Sequence, residues 1–510
     1  MANAAQYFVS RHSAGPLANK TAFREAQEGG AEITYGELDA QSDRMIGFFA
    51  DHGLRREDRV AMLVLDEIAY PVTFFGALKS GVVPILLNTL LATPVYEAIL
   101  NDCRARALFV SAALYPVVEP ILAANQHLEK VFVIGGDAPS GTLSFEAEFA
   151  KASPGPMIDT SDDETAFWLY SSGSTGTPKG VLHAHGSMKA TADTYGAQVL
   201  GIEESDVVHS VAKIFFAYGL GNAITFPMAV GATTILNPGR PTPEGVTDIL
   251  ARHKPTIFCG VPTLYAALGA HLEAVGAPDV KLRRCISAGE ALPADVGERW
   301  KRLFNCDILD GVGSTEMLHI FLSNAPGDVV YGTSGVAVPG YDLRLVEDDG
   351  AVVEPGGIGE LLVRGVSAAD GYWNQRTKSR TTFEGEWTRT GDKYELGADG
   401  RYIYCGRTDD MFKVSGIWLS PFEVESALAS HPAVLESAVV AKRDEDGLEK
   451  PKAFVVLNAG ASADGLETAL QEHVKETAGK WKYPRWIEFA EDLPKTATGK
   501  IQRFKLRDDA

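Results

Sequence analysis

The segment of the sequence best suited to holding an anion lies between residues 170 and 180. It reads YSSGSTGTPKG and follows the apolar run TAFWLY. Glycines let backbone N–H groups converge on one point, hydroxyl groups can surround phosphate oxygens, and a lysine adds a compact positive charge. The residues expected to form this cradle are Ser171, Ser172, Gly173, Ser174, Thr175, Gly176, Thr177 and Lys179. The alternative is a surface linker, because glycine and serine also suit exposed loops.

The spacing of this segment is not that of the Walker phosphate loop, since Lys179 is followed by Gly180 and Val181. If the segment binds phosphate, it does so as another kind of loop. Four further segments stand out in the chain, and each alone is a weak signal. They are SAGEAL (287–292), DGVGSTEM (310–317), TGD (390–392) with GRTDDMFKVSG (406–416), and PKTATGKIQR (494–503).

Length and charge limit the classes of protein that the chain can represent. With 510 residues, we expect two or more domains and room for a large buried site. The formal net charge of −20 disfavours a broad nucleic-acid-binding or anionic-membrane surface. Any anionic ligand must therefore be met by local positive groups.

The cysteines and the apolar runs indicate a cytoplasmic protein. The five cysteines are scattered singly, with no C-x-x-C pair and no zinc-site spacing, which is typical of a reducing compartment. The N-terminal residues lack the long apolar core of a signal peptide. The run GVVPILLNTLLATPVYEAIL is broken by Pro84, Asn88 and Pro94, so it predicts a strand and a helix rather than a membrane span.

Alternating apolar patterns indicate how these segments are positioned. From about residue 55 to 310, short β-rich runs such as RVAMLVL and RALFVS alternate with helical runs, which predicts parallel sheets flanked by helices. Ligands of such folds collect beyond the carboxyl ends of the strands. After about residue 330 the pattern changes to antiparallel strands and turns, and beyond Arg407 to a compact α+β module.

Together, in this order, the five segments resemble the acyl-adenylate-forming superfamily, which includes acyl- and aryl-CoA synthetases, firefly luciferase and adenylation domains of peptide synthetases. FFAYGLGNAITFP and GSTEMLHIFLSN look most like benzoate-CoA ligases. The resemblance implies an α/β protein with a large N-terminal ATP- and acyl-binding domain, residues 1–407, whose part at about 330–406 is β-rich. A small, mobile α+β domain, residues 408–510, would follow a hinge.

The resemblance also implies a chemistry that explains these residue types. A carboxylate attacks the α-phosphate of ATP to give acyl-AMP and pyrophosphate, with Mg²⁺ bound to ATP and to Glu316 and with Thr315 on the α-phosphate. Lys500 would bridge the acyl carboxylate and the α-phosphate. By position alone, Glu316 reads equally as a charge at a helix start, and Lys500 as a solvated charge.

Nucleotide contacts follow from the same resemblance. Adenine would lie against Gly289, Glu290 and Ala291, near Asp310, and Asp392 would accept hydrogen bonds from the ribose hydroxyls, with Arg407 nearby. Many relatives carry an aromatic residue where this chain has Val312, so adenine stacking there is weaker or supplied elsewhere. Without the resemblance, Asp392 reads as a turn residue.

The resemblance further implies a second half-reaction, in which the thiol of coenzyme A would attack acyl-AMP to give the thioester and AMP. Asp409 matches the hinge, and Gly416 the segment that lines the pantetheine tunnel. The basic stretch KWKYPR (480–485) is a candidate for the nucleotide end of CoA, or else the polar end of a helix. The acyl pocket would consist of Phe215, Ala217, Tyr218, Gly219, His319 and Ile320. His319 could instead be a satisfied core histidine.

Three functions compete at this point. The first is an ATP-dependent aromatic acid-CoA ligase that binds a small aromatic acid, ATP and CoA and acts as a monomer or homodimer. The second is another adenylate consumer: a ligase for substituted benzoates, heteroaromatic, alicyclic or small aliphatic acids, or an adenylate-forming enzyme that does not use CoA, such as a carrier-protein-loading domain. The third is a non-catalytic nucleotide-binding regulator, which we would expect to lack Glu316, Lys500 or the phosphate loop.

Overall fold

The structure is a computed structural model that describes residues 3–172, 178–354, 356–414, 417–445, 447–458, 460–495 and 501–508. The chain divides into two compact units. Unit 1 comprises Met1–Asp342 and Val363–Thr388, and unit 2 comprises Leu343–Leu362 and Arg389–Ala510. The domain boundary expected at residue 407 remains a prediction.

The first part of unit 1 alternates strands and helices. A π-helical turn, Gln6–Ser10, and a 3₁₀ turn, Ala112–Leu114, accompany them. The elements are α1 (Arg11–Ser13), β1 (Thr21–Glu25), β2 (Glu32–Thr34), α2 (Tyr35–Asp51), β3 (Arg59–Leu63), α3 (Ala69–Ser80), β4 (Val83–Leu86), α4 (Thr93–Cys103), β5 (Ala107–Ser111), α5 (Tyr115–Leu122), β6 (Lys130–Ile134), β7 (Leu143–Ser144) and α6 (Phe145–Phe149).

The same alternation continues through the middle of the chain. Two π-helical segments, Ala192–Leu200 and Gly221–Thr225, follow α7 and α8 of this series. The elements are β8 (Thr165–Ser172), β9 (Pro178–Ala184), α7 (His185–Thr191), β10 (Val207–Ser210), α8 (Ala217–Leu220), α9 (Phe226–Val230), β11 (Thr233–Leu236), α10 (Pro243–His253), β12 (Ile257–Gly260), α11 (Pro262–Val275), β13 (Arg284–Ser287), α12 (Ala294–Phe304), β14 (Ile308–Gly313), β15 (Ile320–Ser323) and β16 (Val336–Ala337).

The remaining chain is richer in strands at first and then mixed. Its elements are β17 (Asp342–Val346), β18 (Ile358–Arg364), β19 (Gly371–Tyr372), α13 (Arg376–Thr382), β20 (Phe383–Glu384), β21 (Trp387–Leu396), β22 (Tyr402–Arg407), β23 (Phe412–Val414), β24 (Ile417–Leu419), α14 (Pro421–Ala429), β25 (Val434–Arg443), β26 (Glu449–Leu457), α15 (Leu466–Thr477), β27 (Trp486–Phe489) and α16 (Arg503–Asp508).

Two large sheets build unit 1. One has nine strands in the order β16-β15-β14-β13-β12-β10-β11-β1-β2, and the other has eight in the order β19-β9-β8-β4-β3-β5-β6-β7. Their central pairs are parallel, whereas β8–β9 and β14–β15 are antiparallel. Strand β5 is buried at all five residues because helices cover both faces of its sheet. The expected α/β fold with parallel sheets is confirmed. The two antiparallel pairs, β8–β9 and β14–β15, flank loops that carry predicted site residues.

The β-rich segment and the C-terminal segment form smaller sheets. Residues 342–407 contribute a five-stranded sheet in the order β17-β18-β21-β20, with β22 paired to β21. The last part of unit 2 contains the hairpin β23–β24 and the sheet β25-β26-β27, whose core includes residues of helices α14 and α15. The expected β-rich and α+β textures are therefore present.

Two global expectations can be compared with the described residues. All five cysteines are buried and free. Across the described ranges, no helix is both long and apolar enough to cross a membrane.

Candidate functional site

The predicted phosphate segment connects two antiparallel strands of the eight-stranded sheet. Ser171 pairs with Lys179 and Ser172 with Pro178, so strands β8 and β9 meet directly at the base of the segment. The turn itself, with Gly173, Ser174, Thr175, Gly176 and Thr177, lies outside the described residues. The Ser171 hydroxyl is buried and makes no hydrogen bond within the described part of the chain.

The base of this hairpin leaves little room for a side chain at position 180. A Cβ there would lie 3.3 Å from the Tyr170 ring and 3.4 Å from the Trp168 ring. Tyr170 donates to Asp102 at 2.6 Å, and the Trp373 backbone N–H donates to the Gly180 carbonyl at 2.8 Å. Packed aromatic rings therefore fix the direction in which the strand carrying Lys179 leaves the loop.

Thr315 and Glu316 lie in the turn between strands β14 and β15. Ser314 Oγ accepts from the Met317 N–H at 3.2 Å, and the Leu318 N–H donates to the Thr315 carbonyl at 3.2 Å. Leu318 is buried with a φ of 65°, a conformation that costs a non-glycine residue energy. No helix begins here, so the reading of Glu316 as a helix-start charge is wrong.

One tyrosine contacts both this turn and the base of the phosphate segment. The Tyr372 hydroxyl donates to Glu316 Oε1 at 2.7 Å, and Lys179 Nζ lies 5.1 Å from the centre of the Tyr372 ring. Sequence reasoning missed Tyr372, because it is 56 residues from Glu316 and no local pattern connects the two. The two charged residues are thus linked through a neutral side chain.

His183, which sequence reasoning also missed, lies behind Thr315. It is fully buried on β9, its ring stacks on Phe167 at 5.2 Å, and it approaches the backbone of Thr315. Burial lowers the pKa of His183 to about 3, against a smaller opposing effect of that backbone group. The imidazole is therefore neutral at pH 7.

The predicted adenine segment follows strand β13 and folds next to Asp310. Ser287 pairs with Asp310 across β13 and β14, and the Leu292 N–H lies 3.5 Å from Asp310 Oδ2. Gly289 has a φ of 100°, which favours glycine, and Glu290 is exposed. Burial raises the pKa of Asp310 to about 8, although the nearby N–H groups of Leu292 and Gly311 and the Ser287 hydroxyl oppose the shift.

The predicted acyl-pocket residues surround the buried imidazole of His319. Its ring centre lies 5.6 Å from that of Tyr218, 5.2 Å from that of Tyr195 and 4.4 Å from that of Phe226, edge to face. Ile320 follows directly and is buried. The structure thus brings His319 and Tyr218 together, and it adds Tyr195 and Phe226, which sequence reasoning did not select.

His319 is not a satisfied core histidine. Within the described residues neither ring nitrogen makes a hydrogen bond of standard geometry. Burial lowers its pKa to about 3, opposed by a weaker effect of the Tyr218 backbone. At pH 7 the neutral ring offers one donor and one acceptor in an apolar surrounding.

The segment that carries Tyr218 is held closely by its neighbours. The Tyr218 hydroxyl donates to the carbonyls of Gly260 and Ile286, at 3.0 and 3.1 Å, where strands β12 and β13 end. A Cβ on Gly219 would lie 1.9 Å from the Lys213 carbonyl. Phe215 and Ala217, also in this segment, are buried.

Glycine at position 221 makes room for the imidazole. A Cβ there would lie 2.3 Å from His319 Cδ2, and nothing in the local sequence signals this requirement. Asn222, the next residue, is buried and approaches the Tyr218 hydroxyl. Its spacing of four residues from Tyr218 is the signal that could have identified it.

A buried acid and lysine anchor the start of the same segment. Asp66 Oδ1 accepts from the Ile214 N–H at 3.4 Å, and Asp66 Oδ2 lies 3.9 Å from Lys213 Nζ. Burial raises the pKa of Asp66 to about 6, while Lys213 opposes the shift. These two residues are 147 positions apart in sequence, so no local pattern predicts the pair.

In unit 2, Asp392 and Arg407 face each other across strands β21 and β22. Asp392 Oδ1 accepts from Arg407 Nη1 at 2.9 Å, and the same nitrogen donates to the Thr390 carbonyl at 3.1 Å. A Cβ on Gly391 would lie 2.7 Å from Arg407 Nη2. Asp392 lies within a strand, so its reading as a turn residue is wrong.

The predicted hinge residue Asp409 is exposed, and its carbonyl accepts from Arg507 at 2.7 Å. The neighbouring Asp410 pairs with Arg507 and lies 3.5 Å from Arg503, which also binds Glu425 at 2.6 Å. This segment is therefore tied to helices α14 and α16 of unit 2. Gly416 and Lys500 lie outside the described residues. Lys495 and Ile501, which flank the segment that contains Lys500, form an isolated antiparallel β-bridge.

The basic stretch 480–485 lies beyond the end of helix α15, so it is not a helix end. Tyr483 lies between two cations, with Lys475 at 4.2 Å and Arg485 at 3.6 Å from its ring centre. Lys482 pairs with Glu423. Part of the positive charge of this stretch is therefore already balanced.

Comparison with known proteins agrees with this architecture. The model of the family described as AMP-binding enzyme matches residues 10–373, and that of the AMP-binding enzyme C-terminal domain matches residues 423–500. The benzoate–CoA ligase of Thauera aromatica is 52% identical over 99% of this chain and 95% of its own length. The 4-hydroxybenzoate–CoA/benzoate–CoA ligase of Rhodopseudomonas palustris is 51% identical over 99% of this chain and 94% of its own length.

Solved structures give the same answer. A benzoate CoA ligase from Burkholderia xenovorans LB400 superposes with a TM-score of 0.89 at 46% identity, over 99% of this chain and 100% of that one. The anthranilate CoA ligase AuaEII in complex with anthranoyl-AMP superposes with a TM-score of 0.93 at 43% identity, over 99% of this chain and 97% of that one. The chain therefore belongs to the AMP-binding enzyme family.

Proposed function

We propose that the chain is an ATP-dependent aromatic carboxylic acid-CoA ligase of the benzoate-CoA ligase type. The observation that carries the proposal is the buried imidazole of His319 between the rings of Tyr195, Tyr218 and Phe226. Such walls suit a small flat acid with few polar groups. The identity to benzoate-CoA ligases over nearly the whole chain supports the same class of substrate.

The proposed reaction has two steps. A carboxylate oxygen of the acid attacks the α-phosphorus of ATP, and the bond to the β-phosphate oxygen breaks, which gives acyl-AMP and pyrophosphate. The thiol of CoA then loses its proton and attacks the acyl carbonyl, and AMP leaves with the electrons of the broken C–O bond. The protein contributes position and fixed charge to both steps.

Residues of unit 1 are proposed to hold the ATP phosphates. Lys179 and the hydroxyl groups of the 171–177 segment would contact phosphate oxygens, and Thr315 the α-phosphate. Glu316 would bind the Mg²⁺ that neutralises phosphate charge. It fits this role because Tyr372 holds one of its carboxylate oxygens, while the other makes no hydrogen bond or ion pair with the described residues.

The nucleoside would be held by neutral and charged oxygen groups. Gly289, Glu290 and Ala291 are proposed to contact adenine. Asp310 would act nearby in its neutral form, because burial raises its pKa to about 8. Asp392 would accept from the ribose hydroxyls while Arg407 fixes its orientation.

The C-terminal residues are proposed to serve the two steps in turn. Lys500 would bridge the carboxylate and the α-phosphate during adenylation. Rotation about Asp409, with residues from 408 onward as the mobile domain, would then bring Gly416 to the pantetheine tunnel. Residues 480–485 remain a proposed contact of the CoA nucleotide, with Arg485 and Lys475 around Tyr483.

We also propose a cytoplasmic location, which the five free, buried cysteines support. A monomeric or homodimeric state remains a prediction.

A panel of acids tests the function. Pyrophosphate release and CoA thioester formation would be measured with benzoate, hydroxybenzoates, aminobenzoates, cyclohexanecarboxylate and octanoate. We expect benzoate or a simply substituted benzoate to have the highest kcat/KM, since each misfitted methylene costs about 1–3 kcal/mol. A higher kcat/KM for octanoate than for every aryl acid would contradict the substrate class, and pyrophosphate release without thioester would contradict CoA ligation.

A further inference from the structure

Tyr372 contacts the two charged residues that the proposed function places on ATP and its metal ion. Its hydroxyl donates to Glu316 Oε1 at 2.7 Å, and Lys179 Nζ faces its ring at 5.1 Å from the centre. We propose that Tyr372 is the positioning residue for Glu316, orienting the carboxylate toward Mg²⁺ and keeping it apart from Lys179. The proposal rests on the proposed role of Glu316.

The backbone around Tyr372 fixes its position from two sides. Strand β19 pairs with β9, Tyr372 opposite Val181, and the Tyr372 N–H donates to Ser379 Oγ at 3.0 Å. The Ala369 N–H donates to the Glu316 carbonyl at 2.8 Å. The segment that presents the hydroxyl is therefore bound both to the strand of Lys179 and to the turn of Glu316.

The hydrogen bond limits how the carboxylate can rotate. Tyr372 is only 7% exposed, so water competes poorly for its hydroxyl. With Oε1 accepting from Tyr372, the second oxygen of Glu316 has more capacity left for a cation, and the carboxylate is held in one orientation. A carboxylate without this bond would have to be ordered by the metal ion itself, and that ordering would weaken metal binding.

The ring has a second consequence for the charges. Glu316 makes no ion pair with any described residue, although Lys179 contacts the same tyrosine. An ion pair between Glu316 and Lys179 would neutralise both side chains. Lys179 would lose the positive charge that it needs to bind phosphate, and Glu316 the negative charge that it needs to bind the metal ion. The aromatic ring takes the ammonium on its face instead, an attraction that leaves the carboxylate available.

A purely structural role is the competing explanation. Tyr372 packs with Val181, Ala369 and Phe383 in a small apolar cluster, and loss of that packing would impair the protein in a general way. The two explanations differ for Tyr372→Phe, which keeps the packing and the ring under Lys179 and removes only the hydroxyl. Tyr372→Leu removes the ring as well.

The test measures metal binding apart from catalysis. Mn²⁺ binding would be titrated by electron paramagnetic resonance in the presence of a non-hydrolysable ATP analogue, without any acid. Pyrophosphate release would be measured in parallel against free Mg²⁺. Tyr35→Phe is the matched control, since it removes a buried tyrosine hydroxyl bonded to the Ala232 carbonyl at 2.6 Å. Circular dichroism would set a temperature at which every variant is folded.

For Tyr372→Phe we expect Mn²⁺ affinity and half-saturating Mg²⁺ to worsen by ~10-fold, the scale of one hydrogen bond to a charged group. The kcat at saturating Mg²⁺ and the KM of the acid should stay within about threefold of wild type. Tyr372→Leu should also raise the KM of ATP and lower kcat at all Mg²⁺ concentrations. Tyr35→Phe should change neither metal response.

Three results would overturn the proposal. They are an unchanged Mn²⁺ affinity in Tyr372→Phe, the same loss in Tyr35→Phe, and an equal loss in Ser367→Ala, whose hydroxyl bonds the Met317 carbonyl of the turn and the Tyr341 hydroxyl, both at 2.8 Å. Failure of the proposed function is a separate outcome. In that case wild type would show no activity with any acid of the panel, while the Mn²⁺ titration would still decide the role of Tyr372.

Discussion

The Asp392 carboxylate and the Arg407 guanidinium lie 2.9 Å apart on directly paired residues of two antiparallel strands. The arginine also bonds the Thr390 carbonyl, so it holds the carboxylate in one direction. This arrangement suits a residue that must accept hydrogen bonds from two vicinal hydroxyl groups.

Asp392→Asn should therefore raise the KM of ATP by ~10-fold or more, because it replaces a charged acceptor by a mixed donor and acceptor. Use of supplied acyl-AMP should weaken as well, since acyl-AMP carries the same ribose. The control is Asp399→Asn, which breaks an ion pair with Arg401 in the turn that joins strands β21 and β22. Equal KM values for ATP in Asp392→Asn and wild type would exclude the ribose contact.

His319→Ala should change the ranking of acids more than the KM of ATP. Removing a ring packed against Tyr218, Tyr195 and Phe226 opens space that larger or para-substituted acids can fill, while the phosphate residues remain. His127→Ala, at an exposed site, is the control. The comparison uses kcat/KM for the panel and the KM of ATP, and a fixed ranking with a strongly raised KM of ATP would refute the assignment.

Burial of Asp310 should make stability depend on pH. Its folded pKa, about 8, is above the value of about 4 for an unfolded aspartate, so the folded state keeps a proton that the unfolded state has lost. The contribution of this proton to the free energy of unfolding is complete below pH 4. It falls by about 1.4 kcal/mol per pH unit between pH 4 and pH 8, and is lost as pH rises through 8.

Asp310→Asn should remove this dependence, because asparagine imitates the neutral acid. We expect the Tm difference between Asp310→Asn and wild type to move in favour of the variant between pH 5 and pH 8.5, in calorimetry. Asp279→Asn, at a fully exposed position, should show no such trend. A constant Tm difference over this range would show that Asp310 is ionised in the folded protein.

Lys500 and Gly416 should separate the two half-reactions. Lys500→Ala should reduce acyl-AMP formation ~10²–10³-fold, the effect of removing one preorganised charge from a transferring group, and largely spare thioester formation from supplied acyl-AMP. Gly416→Trp should do the reverse by blocking the tunnel. Equal losses in both steps for both variants would mean that the small domain does not alternate.

The sequence predicted the alternating strands and helices because each buried strand and amphipathic helix has its own local period. It also led to Tyr218 and His319, which stand in recognisable segments. Interpretations drawn from a few neighbouring residues were wrong where pairing between strands decided the structure. TGDK suggests a turn, yet Asp392 lies in strand β21 because residues 402–407 pair with it.

Residues that reach the site from distant parts of the chain had no local signal. Tyr372 contacts Glu316 across 56 positions, and Tyr195 contacts His319 across more than 120. Their partners are set by sheet order and helix packing, which a period of two or 3.6 residues does not specify. Gly221 was missed for a related reason, since its requirement comes from the His319 ring.

The stoichiometry of one complete reaction tests the central claim most directly. Benzoate, ATP, Mg²⁺ and CoA would be incubated with the protein, and benzoyl-CoA, AMP and pyrophosphate quantified together by mass spectrometry and a coupled assay. We predict equal amounts of all three, and enzyme-bound benzoyl-AMP when CoA is left out. Formation of ADP and phosphate, or of AMP and pyrophosphate without benzoyl-CoA, would contradict the claim.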